Sequence, residues 1–163
     1  MAKVLSPNEI MFTPFEPKTQ NRFLVMGLGD VPAFLIKTAG RPNITFETIT
    51  IDHINTKHYY KGKGEWNTLD VTLYDPVVTS AAQAVMDWIR LAHESITGVD
   101  GYKELYQKEV TINVLDPMGN GIEEWKLVNA WIKDANFNTL DWSSNEPVDI
   151  ALTLQYDYAV LEY

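Results

Sequence analysis

The sequence predicts a mainly β fold, a small barrel or sandwich of about seven strands with one flanking α-helix. Three observations carry this reading. The stretch 147–158 alternates strictly, with Val148, Ile150, Leu152, Leu154, Tyr156 and Tyr158 on one face and Asp149, Ala151, Thr153, Gln155 and Asp157 on the other. That period of two is the signature of a long strand with one apolar side. Several shorter runs repeat the pattern or are rich in β-branched residues, and only one stretch, 80–96, carries helical spacing. With 163 residues, 45% hydrophobic and 21% charged, the chain has the length and composition of one folded domain, residues 20–163, preceded by an arm at 1–19.

In order along the chain, the arm holds Pro7, Pro14 and Pro17 among small and polar residues and has no periodic face, although Phe12 and Phe15 offer it a means of docking. Apolar runs at 22–28 and 33–37, separated by Gly27, Gly29, Asp30 and Pro32, predict two strands joined as a hairpin. Residues 44–52 are β-branched, but their apolar phase slips from Ile44 and Phe46 to Ile49 and Ile51, which predicts a bulge or bend. Gly62-Lys-Gly64 supplies turn chemistry before a strand in which Leu69, Val71 and Leu73 alternate with polar residues.

Ser80 and Gln83 fit a capping box, and Val85, Trp88, Ile89, Ala92 and Ile96 form one stripe of a helix that Gly98 ends. Val110, Ile112 and Val114 then alternate up to a turn at 116–121, and Trp125, Leu127 and Trp131 mark the returning strand. Residues 132–146 read as a polar connection to the last strand.

Composition excludes several chemistries. Cysteine is absent, so disulfides and thiolate catalysis are excluded, and His53, His58 and His93 show no metal-ligand spacing. No cofactor loop, nucleophile elbow or paired-histidine helix is present. Glu123 and Glu124, adjacent on a strand, point to opposite faces and cannot work as an acid and base pair; both are expected to be solvated. Most of the five tryptophans are expected in the core. No run of eighteen apolar residues and no signal-like segment occurs, so an aqueous, reducing compartment is expected. The net charge of −9 opposes binding to a phosphate backbone.

One segment departs from the acidic average. Residues 53–64 contain Lys57, Lys61 and Lys63 and no acid, so they carry +3 and leave −12 on the rest of a chain whose total is −9. Such a basic finger, with His58 and the exposed-looking pair Tyr59 and Tyr60, suits docking onto an acidic face of another copy.

These blocks together resemble the tail tube proteins of contractile-tailed bacteriophages. The residues that carry the resemblance are Arg22-Phe-Leu-Val-Met-Gly-Leu28, Phe34-Leu-Ile-Lys-Thr-Ala-Gly-Arg-Pro42, Lys61-Gly-Lys-Gly-Glu-Trp66, Leu69-Asp-Val-Thr-Leu-Tyr-Asp75 before the helix with Trp88, and Leu140-Asp-Trp-Ser-Ser-Asn-Glu-Pro-Val-Asp-Ile-Ala-Leu-Thr-Leu-Gln-Tyr-Asp-Tyr158. The last block is the most specific. The resemblance implies a virion protein, assembled in the host cytoplasm, whose hexameric rings stack into a tube inside a tail sheath protein. A baseplate initiator and a tail terminator would bound that tube, and DNA would pass through it unbound. It also implies that the loop at 53–65, with Lys57, His58, Tyr59, Tyr60, Lys61 and Lys63, reaches an adjacent ring. On this view Glu47, Asp149 and Asp157 are candidates for lumen charge, where an acidic wall repels phosphates. A tube protein of a type VI or extracellular injection system shares the implied fold. A ligand-binding β-barrel is the rival of another class, and it would need a convergent polar cluster inside the barrel.

Overall fold

A computed structural model describes Ser6 and residues 11–163. Pro7, with the rest of residues 1–10 except Ser6, therefore lies outside the described residues. Among those described, strands β1 (Phe23–Met26), β2 (Ile36–Ala39), β3 (Ile44–His53), β4 (Thr56–Trp66), β5 (Leu69–Tyr74), β6 (Lys108–Leu115), β7 (Gly121–Asn136), β8 (Asp149–Gln155) and β9 (Tyr158–Leu161) dominate. Helix α1 spans Ala81–Ala92, and a short helix α2, Lys103–Tyr106, had no signal in the sequence. Seven strands form one antiparallel sheet in the order β1-β6-β7-β8-β5-β2, with β9 also on β7. Strands β3 and β4 form a separate two-stranded sheet.

β7 organises the sheet. Its first half pairs with β6, and β8 and β9 follow one another along its other side in continuous register: Trp131 faces Gln155 and Val128 faces Tyr158. The predicted long terminal strand is therefore real but interrupted at Tyr156 and Asp157. The interruption matches Asn129, which takes φ +57, a conformation asparagine tolerates better than most residues. Asn129 Nδ2 donates to Asp157 Oδ2 at 2.6 Å, and Asp157 N donates to the Val128 carbonyl. Val148, just before β8, and Tyr158, beyond the break, leave the buried face that Ile150, Leu152, Leu154 and Tyr156 keep.

The core joins Val25, Val110, Ile112 and Leu127 from the β1-β6-β7 part to Val71, Leu73, Ile150, Leu152 and Leu154 from the β5-β8 part, so the sheet folds over itself like a sandwich. Each of these fully buried side chains contributes about 1.5–3 kcal/mol. β1 and β2 end the strand order without pairing with each other, so the sheet is not closed. This corrects the expected hairpin at 22–37, since β1 pairs with β6 and β2 with β5.

Helix α1 packs Val85 and Trp88 into the core. Its cap differs from the expected box: Ser80 Oγ donates to Asp75 Oδ1 at 3.2 Å, and the same oxygen receives Ala82 N at 3.3 Å. The helix ends at Ala92, so Ile96 lies beyond the stripe and is exposed. Trp88 Nε1 donates to the Tyr106 carbonyl at 2.7 Å and ties α1 to α2. Residues 132–136, expected in a polar connection, instead extend β7. Trp142 is fully exposed, an exception to the tryptophan expectation. No helix among the described residues is long and apolar enough to cross a membrane.

Candidate functional site

Strands β3 and β4 form a hairpin arm, nearly every residue of which is exposed. Its root is anchored: Asn67 N donates to the Asn43 carbonyl at 2.9 Å, and Trp66 stacks against Tyr156 with ring centroids 6.2 Å apart. Gly62-Lys-Gly64, expected as a turn, lies inside β4. Phe46 pairs with Gly64 and Thr48 with Lys61, so Gly62 and Lys63 stand opposite the single residue Glu47. This is the predicted bulge, carried by β4. A Cβ on Gly62 would lie 3.0 Å from both Glu47 Cβ and its carbonyl oxygen, so the glycine lets the strands stay close there.

The slip in apolar phase now has a physical meaning. β3 alternates without a break, so Ile44 and Phe46 occupy one face near the root while Ile49 and Ile51 occupy the other beyond the bulge. Tyr60 and His58 pair with Ile49 and Ile51 on that second face, whereas Tyr59 and Lys61 lie on the first. Apolar side chains therefore stand on both sides of an arm that the described residues leave exposed. At the tip, Thr56 Oγ1 donates to the His53 carbonyl, and Ile54 is held at φ +52 and is 90% exposed.

The structure thus gathers Lys57, His58, Tyr59, Tyr60, Lys61 and Lys63 on one strand of a hairpin rather than in a loop. The charge of this segment is partly offset across the arm. Lys57 Nζ lies 3.8 Å from Asp52, and Lys61 Nζ sits 4.8 Å from the centroid of the Phe46 ring. Among the described residues neither His53 nor His58 has a hydrogen-bond partner on its ring, and no group of His, Asp and Glu could hold a metal ion.

Glu47, Asp149 and Asp157 are not brought together. Glu47 belongs to the arm, Asp157 to the break between β8 and β9, and Asp149 to the start of β8. Asp149 pairs with Lys37 at 3.1 Å and accepts from Asn138; the Lys37 bond chiefly holds its carboxyl below the usual range. On the solvent face of the same strands stands Asp70, bonded to Thr153. Sequence reasoning passed over Asp70, although the alternation of Leu69, Val71 and Leu73 places it on that face.

Glu123 overturns the expectation of a solvated carboxylate. It is 4% exposed, and it accepts from Lys18 of the arm, from Arg41 and from Trp125 Nε1. Burial pushes its carboxyl up, but the Lys18, Trp125 and Arg41 donors outweigh that and hold it at about 2. Glu123, Lys18 and Arg41 line a cleft of about 650 Å³ between Phe23 of β1 and residues 37–39 of β2, the two open edges. Lys18 ties the N-terminal arm to this cleft through Glu123, while Phe12 and Phe15 pack against each other and remain exposed.

Among the described residues, then, the hairpin arm is bare on both faces, β1 and β2 end the sheet unpaired with each other, and no group of His, Asp and Glu could hold a metal ion. Comparison with solved structures agrees on the fold. The anti-feeding prophage cap, a tube terminating cap, superposes with a TM-score of 0.74 at 20% identity over 97% of this chain and 99% of that one. The sheath/tube terminator of PVC, an extracellular contractile injection system, gives 0.73 at 19% identity over 93% and 100%. The PVC sheath-tube complex gives 0.68 at 20% over 98% and 99%. No curated protein matches the chain. Residues 19–160 match the family described as T4-like virus tail tube protein gp19. The chain therefore belongs to this family of tail tube proteins, the structural tube components of contractile tail particles.

Proposed function

We propose that this protein forms hexameric rings that stack into the inner tube of a contractile tail, the conduit for genome ejection, with no chemical step. The observation that carries the reading is the hairpin arm: its apolar residues face outward on both sides and call for cover from another copy. Lateral joining of subunits at the open edges of β1 and β2 would remove the unpaired backbone that otherwise invites aggregation, and closure into a ring limits that joining. The arm then serves contacts between rings. Surrounding sheath, a baseplate initiator and a terminator complete the particle, which is assembled in the host cytoplasm.

Changing Lys57, Lys61 and Lys63 together to glutamate tests the arm. Rings without tubes are expected by electron microscopy, and tubes of normal length would sink the reading. A second reading, the tube of an injection system, is favoured by the similarity to the anti-feeding prophage and PVC particles. A packaged chromosome in purified particles would decide for the phage, and protein cargo for the injection system.

A further inference from the structure

The hairpin arm and an apolar loop surface lie at opposite ends of β5 and β8. Leu69 faces Leu154 at one end of this strand pair, and Tyr74 faces Asp149 at the other. The arm joins the first end, through Gly40 N bonded to the Asp70 carbonyl and Asn67 just before Leu69. The loops 75–80 and 137–148 leave the second end, where Asp75 N bonds to the Val148 carbonyl. Five strand intervals, roughly 17 Å, separate the two ends.

That second end is unusual in what it exposes. Val77, Val78, Leu140 and Trp142 are all more than four-fifths exposed, and Leu140, Asp141, Trp142 and Glu146 help to line a cleft of about 900 Å³. The two loops hold Asp75, Asp141 and Glu146 and no lysine or arginine. The one lysine at the cleft, Lys37, is paired with Asp149. Loops with several large apolar side chains fully in water are out of keeping with a lone subunit.

We infer that this loop surface is the seat for the hairpin arm of a second copy in the adjacent ring. The inference rests on the proposed role of the arm and names its receptor. The chemistry matches: exposed Tyr59, on the same face of the arm as Lys61, meets Leu140 and Trp142, and Lys61 and Lys63 meet Asp141 and Glu146. Among the described residues neither of these lysines has a carboxylate within 4.0 Å in its own chain. β3 alone spans roughly 30 Å at 3.3 Å per residue, enough to reach a neighbouring copy. The geometry also fits the product. A contact between unlike patches at opposite ends of a subunit is head-to-tail, the kind of contact that propagates as an open stack when its rotation does not close a ring.

The chain has no cysteine, which permits a clean test. Full-length Asn55→Cys and Asn145→Cys variants, at the arm tip and in the receptor loop, are mixed, polymerised and treated with a short bifunctional maleimide. Crosslinked dimers in tubes, absent from unpolymerised rings, are expected. In parallel, Asp141→Lys with Glu146→Lys should weaken polymerisation about tenfold or more, and combining them with Lys61→Glu and Lys63→Glu in one chain should restore tubes. Tubes that form without the crosslink, together with a charge swap that restores nothing, would overturn the receptor assignment while leaving the arm's role intact. Normal tubes from the arm charge reversal alone would overturn the arm's role, and the assignment with it.

Discussion

Glu123, buried on β7, is ion-paired with Arg41, the residue that leads through Pro42 and Asn43 into the hairpin arm. Lys18 from the N-terminal arm shares the same carboxylate, so one charge joins three parts of the chain at the gap between the open edges. Its two cations are more than half exposed, while the carboxylate is not. Removing the carboxylate therefore frees the cations to solvent, whereas removing the cations strands a buried anion.

A pH dependence follows. The Glu123 carboxyl is held at about 2 in the folded chain against an ordinary 4.5, so its stabilisation is fully present above about pH 4.5 and is lost as pH falls toward 2. The shift corresponds to about 3 kcal/mol. Glu123→Gln should lower stability by about 2–3 kcal/mol at pH 7 and flatten the dependence between pH 4.5 and 2, as read by urea unfolding. A variant whose stability still falls as steeply across that window would show that other carboxylates carry the effect.

Gly27 ends β1 at φ +89, and a Cβ there would stand 2.2 Å from the Glu109 carbonyl oxygen of β6's backbone. Gly98 has φ +69 but open space around it. Gly98→Ala should cost only the left-handed conformation, about 1–2 kcal/mol. Gly27→Ala adds a collision that no rotamer relieves and should cost several-fold more, or abolish folding. Equal losses for the two variants in thermal unfolding would rule out the steric account.

Trp88 is 3% exposed, donates to the Tyr106 carbonyl and lies under Lys108, whose Nζ is 5.2 Å from the ring centroid. Trp88→Phe removes the donor and some volume, with an expected loss of about 1–3 kcal/mol. Exchange of the amides in α2 should rise more than exchange in β8, because the lost bond is what ties α2 to α1. Uniform acceleration across both elements would argue that the change acts on the whole fold.

What the sequence made legible follows from which elements bury one face. β5 and β8 lie half-buried, so Val71 and Leu152 announce themselves by alternation, and the tail tube resemblance rests on these same stretches. The partners of β1 and β2 were illegible because pairing between strands distant in the chain leaves no local mark: Val25 meets Ile112, and Ala39 meets Val71. The first strand of the arm was legible at 44–52, but the returning strand was misread as a loop at 53–65 because neither of its faces is buried. Glu123 looked solvated because its partners, Lys18 and Arg41, are 105 and 82 positions away.

The proposed lumen charge can be separated from local structure at Asp149. This residue pairs with Lys37, so Asp149→Lys both adds positive charge to the solvent face of β8 and sets two cations against each other. The exchange Lys37→Asp with Asp149→Lys keeps the pair and the net charge. If an acidic bore speeds DNA by repelling phosphates, ejection should slow in a triple reversal of Glu47, Asp149 and Asp157 to lysine, and should stay normal in the exchange. Fluorescence of dye released with the genome from purified particles reads both rates. Slowing in the exchange as well would assign the effect to subunit geometry, and no slowing in the triple reversal would remove these three carboxylates from the conduit.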